Sequence, residues 1–120
     1  MTTPEELELF DVVSKICATS PLKHPVAYKD TGTYFGINLG KVTHWFIRGF
    51  CTPPKMALVT RVPAEQARLH APGFEVEVAP EGLGASRVYF ASPKDVERMR
   101  GLVLAAYEEA VRRRTAGAEE

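Results

Sequence analysis

Little in this sequence points to a specialised chemistry. There are two cysteines in 120 residues, Cys17 and Cys51, and neither sits in a CxxC or Cys/His spacing. That count is too low for a disulfide framework and excludes a stapled scaffold. Charge of one sign is missing as well: Lys and Arg number 15, Asp and Glu number 15, and the formal net charge is zero. The general attraction to nucleic acid or anionic membrane that a strongly basic domain carries is therefore absent, and any anion site must come from local clustering. No run approaches the ~20 apolar residues that span a bilayer. The start Met1-Thr2-Thr3-Pro4-Glu5-Glu6 is acidic and lacks the basic-then-apolar pattern of a secretory leader. The expected location is a reducing cytoplasm, with both thiols buried or half-buried. The GxSxG elbow, the P-loop, the dinucleotide glycine fingerprint and HExxH are all missing. No catalytic residue, cofactor or metal is expected.

What is present is an ordinary globular composition, 45% hydrophobic and 25% charged, at a length suited to one domain. Thr3, Pro4 and Glu6 make a capping box with proline at the first helical position. Leu7, Phe10, Val13 and Cys17, widened by Leu9, Val12 and Ile16, then give a broad apolar stripe that Thr19-Ser20-Pro21 ends. From residue 24 to 61 the period falls to two. Strands are expected over 26–29, 34–39, 44–48 and 55–61, joined by short turns as an antiparallel meander. A short helix follows from Val62-Pro63. Phe74-Glu75-Val76-Glu77-Val78 and Ser86-Arg87-Val88-Tyr89-Phe90 form a hairpin. Ser92-Pro93-Lys94-Asp95 opens a last helix whose apolar face is Val96, Met99, Leu102, Val103, Ala106, Tyr107 and Ala110. This helix is expected to fray at Arg112-Arg113-Arg114, leaving 115–120 as a disordered tail to a domain spanning 1–114. The expected fold class is α+β: a two-layer sandwich with a mostly antiparallel sheet of about six strands and the N- and C-terminal helices on one face.

Candidate chemistry is sparse. A Cys51–His44 nucleophile pair would flank one strand, roughly 20 Å apart at the extended rise per residue, too far to meet. Glu75 and Glu77 face one side of a strand and read as a solubilising pair. Gly36, inside a strand, marks a bulge or a close approach of another chain. The face of the sheet away from the helices is the most informative surface. If Phe35, Ile37, Leu39, Trp45 and Ile47 point inward, then Tyr34, Gly36, Asn38, His44, Phe46 and Arg48 point outward. Arg87 and Tyr89 join them from the last strand, and Lys55 and Arg61 in one register. Aromatic rings interleaved with cations suit stacking bases and phosphates. Without net positive charge the same face suits a protein interface, a second copy of the domain foremost. Cover by the Pro53-Pro54 loop is a further option. The arginine triplet at 112–114 invites a nucleic-acid reading as well, and the helix macrodipole, which favours cations near a helix C-terminus, is the preferred explanation.

The second half also resembles known domains. Phe74–Val78, then Ser86 through Val96, then a helix carrying Ala105-Ala106-Tyr107-Glu108 is similar to the end of small bacterial α+β domains found alone or fused to nuclease-like domains. Thr33-Tyr34-Phe35-Gly36-Ile37 fits their aromatic-rich meander. A looser resemblance is to the MmcQ/YjbR group, described as DNA-binding-like, from which this chain departs by carrying Tyr89 where a late tryptophan is expected. These resemblances imply the α+β fold and a nucleic-acid role, and they transfer no catalytic residue. The expectation is a non-enzymatic binding or interaction domain, homodimeric through the outer sheet face. The alternatives are nucleic-acid binding through Tyr34, His44, Phe46, Arg48, Lys55, Arg61, Arg87 and Tyr89, and a small enzyme built on Cys51 and His44.

Overall fold

The computed structural model describes residues 2–52 and 55–118. Helix α1 (Pro4–Cys17) starts as its sequence dictates: Thr3 Oγ1 accepts from the Glu6 N–H at 3.2 Å, and the Glu6 carboxylate accepts from the Thr3 N–H at 2.8 Å. Its buried side is Leu9, Val12, Val13, Ile16 and Cys17, while Leu7 is exposed. The apolar stripe is wider than the face the sheet covers, and Leu7 falls off its edge.

Strands β1 (Ala27–Asp30), β2 (Phe35–Asn38), β3 (Trp45–Phe50) and β4 (Met56–Thr60) form the expected meander. Helix α2 (Ala64–His70) then carries the chain to β5 (Val76–Val78), and β6 (Ser86–Phe90) returns between β4 and β5. The result is an antiparallel six-stranded sheet in the order β1-β2-β3-β4-β6-β5. A 3-10 segment, Pro93–Met99, leads into α3 (Arg100–Ala118). Its start is held by Asp95, whose carboxylate accepts from the N–H groups of Ala91 and Ser92 at 3.0 and 3.2 Å. The two-layer α+β arrangement holds, with α1 and α3 packed on one face over a core of Leu9, Val13, Phe35, Ile37, Leu58, Val88, Val96, Met99 and Leu102. The frayed tail does not: α3 runs on through Ala118, with Arg113 paired to Glu109 at 3.1 Å and Thr115 Oγ1 donating to the Val111 carbonyl at 3.0 Å. Glu119 and Glu120 lie outside the described residues, as does the Pro53-Pro54 cover considered for the sheet.

The pairing of β2 with β3 corrects the expected orientation of β3. Phe35 opposes Gly49, Gly36 opposes Arg48 and Ile37 opposes Ile47, but the next partner of Asn38 is Trp45. Phe46 is the extra residue of a β-bulge. It points to the helices beside Ile47, is 1% exposed, and meets Tyr107 edge-to-face with ring centroids 5.6 Å apart. Trp45 is thereby turned to the outer face, and His44 sits in a 3-10 turn (Val42–His44) ahead of the strand. Within the chain a Cβ at Gly36 would meet only ordinary contacts. At Gly49 it would stand 2.6 Å from Leu9 Cδ2, so that glycine lets α1 settle onto the sheet.

Tyr107 joins the layers. Fully buried, its hydroxyl accepts from the His24 N–H at 2.6 Å and donates to the His24 carbonyl at 3.0 Å, tying the chain between α1 and β1 to α3. Tyr107→Phe keeps the ring and strands both backbone groups. It is expected to lower the unfolding free energy by about 1–3 kcal/mol in urea titration; an unchanged midpoint would show that water replaces the hydroxyl without cost.

Candidate functional site

A cleft opens at the end of the sheet where β3 begins and β4 ends. The bulge sets Trp45 there with its indole facing outward. The Cζ of Arg48, three residues on, lies 4.0 Å from the indole centroid and 4.6 Å from the Tyr34 ring, and the Cζ of Arg61, just past β4, lies 4.3 Å from the indole. Each arginine is anchored by one bond to backbone: Arg48 Nη1 donates to the Leu83 carbonyl at 2.7 Å, and Arg61 Nη2 to the Thr43 carbonyl at 3.2 Å. The 79–85 turn lies down on this face because residue 84 is glycine. A Cβ there would collide with Val59 Cγ1 and stand 3.0 Å from the Thr60 carbonyl and 3.3 Å from the indole. The Ala85 N–H closes the turn onto the Thr60 carbonyl at 2.8 Å. Val59 beneath is fully buried, although it faces away from the helices.

Arg113 of α3 completes the cleft. With Trp45, Arg48, Arg61 and the 82–85 turn it lines an open pocket of about 420 Å³. A smaller neighbour of about 170 Å³ shares Trp45, Arg61 and Arg113 and is lined as well by Val62, Ala106, Ala110, Thr43, His44 and Glu109. Among the described residues, the one ion pair in this group is Arg113 with Glu109. Burial, followed by the charges of Arg113 and Arg48, pushes the Arg61 guanidinium below the usual arginine value. The Nε groups of Arg48 and Arg61 and the Nδ1 of His44 are buried without a hydrogen-bond partner. Three guanidiniums around one opening, two with orphaned donors, form a local positive site in a chain of zero net charge.

The other expected cations are spent elsewhere. Arg87 pairs with Glu77, its Nε donating at 2.7 Å, and Tyr89 donates its hydroxyl to the same carboxylate. These two bonds hold the Glu77 carboxyl below its ordinary value, the Tyr89 bond foremost. Lys55 pairs with Glu75 at 3.3 Å and lies 4.2 Å from the Tyr89 ring centroid. The two glutamates thus balance this half of the sheet face. The predicted set divides accordingly: His44, Arg48 and Arg61 come together around Trp45, Tyr34 touches this group through Arg48 alone, Lys55, Arg87 and Tyr89 form a separate cluster balanced by Glu75 and Glu77, and Phe46 belongs to the core. Sequence reasoning missed Arg113. It falls three residues after Ala110 and seven after Ala106 on the buried side of α3, so it prolongs that stripe past the sheet edge.

His44 and Cys51 stand at opposite ends of β3 and do not meet. Burial, aided by Glu6 and Glu5, pushes the Cys51 thiol up to about 12, and burial with Glu108 does the same for Cys17. A raised thiol pKa keeps the proton on sulfur at neutral pH, the opposite of nucleophile activation. Iodoacetamide at pH 7.5 is therefore expected to label the native protein at least about a hundredfold more slowly than the urea-unfolded chain; equal rates would show that a thiolate is accessible. Among the described residues, no three His, Cys, Asp or Glu side chains are grouped to hold a metal ion, and no helix is long and apolar enough to cross a membrane. No family model, curated protein or solved structure matches the chain, so the site stands on its own geometry.

Proposed function

We propose that this chain is a non-enzymatic binding domain that recognises an anionic group, a phosphate or carboxylate, in the cleft of Trp45, Arg48, Arg61 and Arg113. The observation that carries the reading is the charge imbalance: three guanidiniums line one opening that no carboxylate lines among the described residues, and Glu109 of the neighbouring pocket is already paired with Arg113. Like charges held together in a half-buried site cost free energy, and an arriving anion offsets that cost. A Cys51–His44 nucleophile pair has no support, because both thiols lie outside the cleft and burial raises their pKa. Nucleic acid is the second reading, supported by Tyr34 and Trp45 beside the same arginines. It is confined to one or two phosphates here, because Lys55 and Arg87 are paired with Glu75 and Glu77. Self-association through the outer sheet face loses Phe46, which is in the core, and keeps Tyr34, Tyr89 and Trp45 as its aromatic surface.

Inorganic phosphate, followed by the fluorescence of the single tryptophan, is expected to give a saturable change that weakens with salt. Arg61→Met removes one charged donor set and is expected to weaken binding by about tenfold or more. The same substitution also removes a guanidinium held near two others, so its unfolding free energy is expected to stay within about 1 kcal/mol of the parent. Strong destabilisation with unaltered phosphate binding would assign Arg61 to the fold and end the anion reading. A short oligonucleotide that binds far more tightly than phosphate would put the second reading first.

A further inference from the structure

The smaller pocket beside the arginines specifies the ligand further, on the basis of the anion-binding reading above. Its walls, Val62, Ala106, Ala110 and the indole of Trp45, are mostly apolar, and Arg61 and Arg113 belong both to it and to the basic opening. Its volume is about 170 Å³; an engineered apolar cavity of about 150 Å³ takes up benzene. The space therefore matches one six-membered ring.

We infer that the cleft binds a small monocyclic aromatic acid, with its ring between α3 and the Thr43–Trp45 turn and its carboxylate or phosphate on Arg61 and Arg113. Two constraints act together. The basic opening alone selects charge without shape, and the apolar pocket alone selects a ring without charge. The two guanidiniums at their junction demand both in one molecule. Purely aliphatic small anions leave the pocket unfilled and forgo the gain from burying apolar surface.

Trp45 fluorescence decides this in the full chain with defined probes: inorganic phosphate, phenyl phosphate, acetate, benzoate and benzyl alcohol. Phenyl phosphate is expected to bind at least about tenfold more tightly than inorganic phosphate, and benzoate at least about tenfold more tightly than acetate. Benzyl alcohol, which has the ring without the charge, is expected to bind more weakly than benzoate. Ala110→Leu fills the pocket and is expected to erase the preference for phenyl phosphate over phosphate; should that variant fail to fold, the comparison in the parent chain still decides. Saturable phosphate binding with no gain from the ring overturns this inference and leaves the anion reading standing. A neutral ring that binds as well as benzoate also overturns it. No response to any of the five probes overturns both.

Discussion

One unpaired residue organises this protein. Strand β3 reads Trp45-Phe46-Ile47, apolar on both sides, and regular alternation would send Trp45 and Ile47 to the helices and Phe46 outward. The bulge against Asn38 lets Phe46 and Ile47 occupy the core side together and turns Trp45 out. The core gains an edge-to-face contact between Phe46 and Tyr107, the residue that also holds the α1–β1 connection through its hydroxyl. The outer face gains an indole at the sheet's end, on which Arg48 and Arg61 stack. Without the bulge the core would have to admit the indole, and the arginines would lose their platform.

The electrostatics follow from that placement. Zero net charge conceals an uneven distribution: on the β5–β6 side each cation meets a carboxylate across a short distance, Arg87 with Glu77 and Lys55 with Glu75. At the β3–β4 end neither Arg48 nor Arg61 forms an ion pair among the described residues, and the charges that act on Arg61 are those of Arg113 and Arg48. Exposed pairs such as Lys55–Glu75 contribute little to stability, yet they have a consequence for recognition. They remove half of the sheet face as a phosphate-binding surface and leave a compact cleft in its place.

How much of this was legible in the sequence depends on whether the signal was local. The Thr3–Glu6 capping box and the Ser86–Phe90 strand are short-range patterns, and both appear where the sequence places them. The antiparallel order also follows from short connections that leave few alternatives. The bulge was hidden because three successive apolar residues carry no alternation from which to read a face. Leu7 was misplaced for a related reason, since a stripe wider than the buried face does not say which of its edges stays wet. The grouping of Arg48, Arg61 and Arg113 arises from three separate elements, and the triplet at 112–114, read alone, is equally well explained by a helix dipole. The resemblances rest on strand and helix residues, so they inform the fold and leave the cleft unaddressed.

Helix α3 connects the two halves of this account. Successive residues on its buried side serve first the core and then the site: Val103 and Tyr107 are fully buried in the core, Ala106 and Ala110 wall the small pocket, and Arg113 reaches the basic opening. Their spacing along one face means that the rotation of the helix, fixed by Tyr107 on Phe46 and on the His24 backbone, also fixes where Arg113 stands. The two alanines matter as much as the arginine, because larger side chains at 106 and 110 would fill the space beside the indole. A site borne on such an element is positioned by the core rather than by a loop, which is how a cluster of like charges keeps its geometry before any ligand arrives.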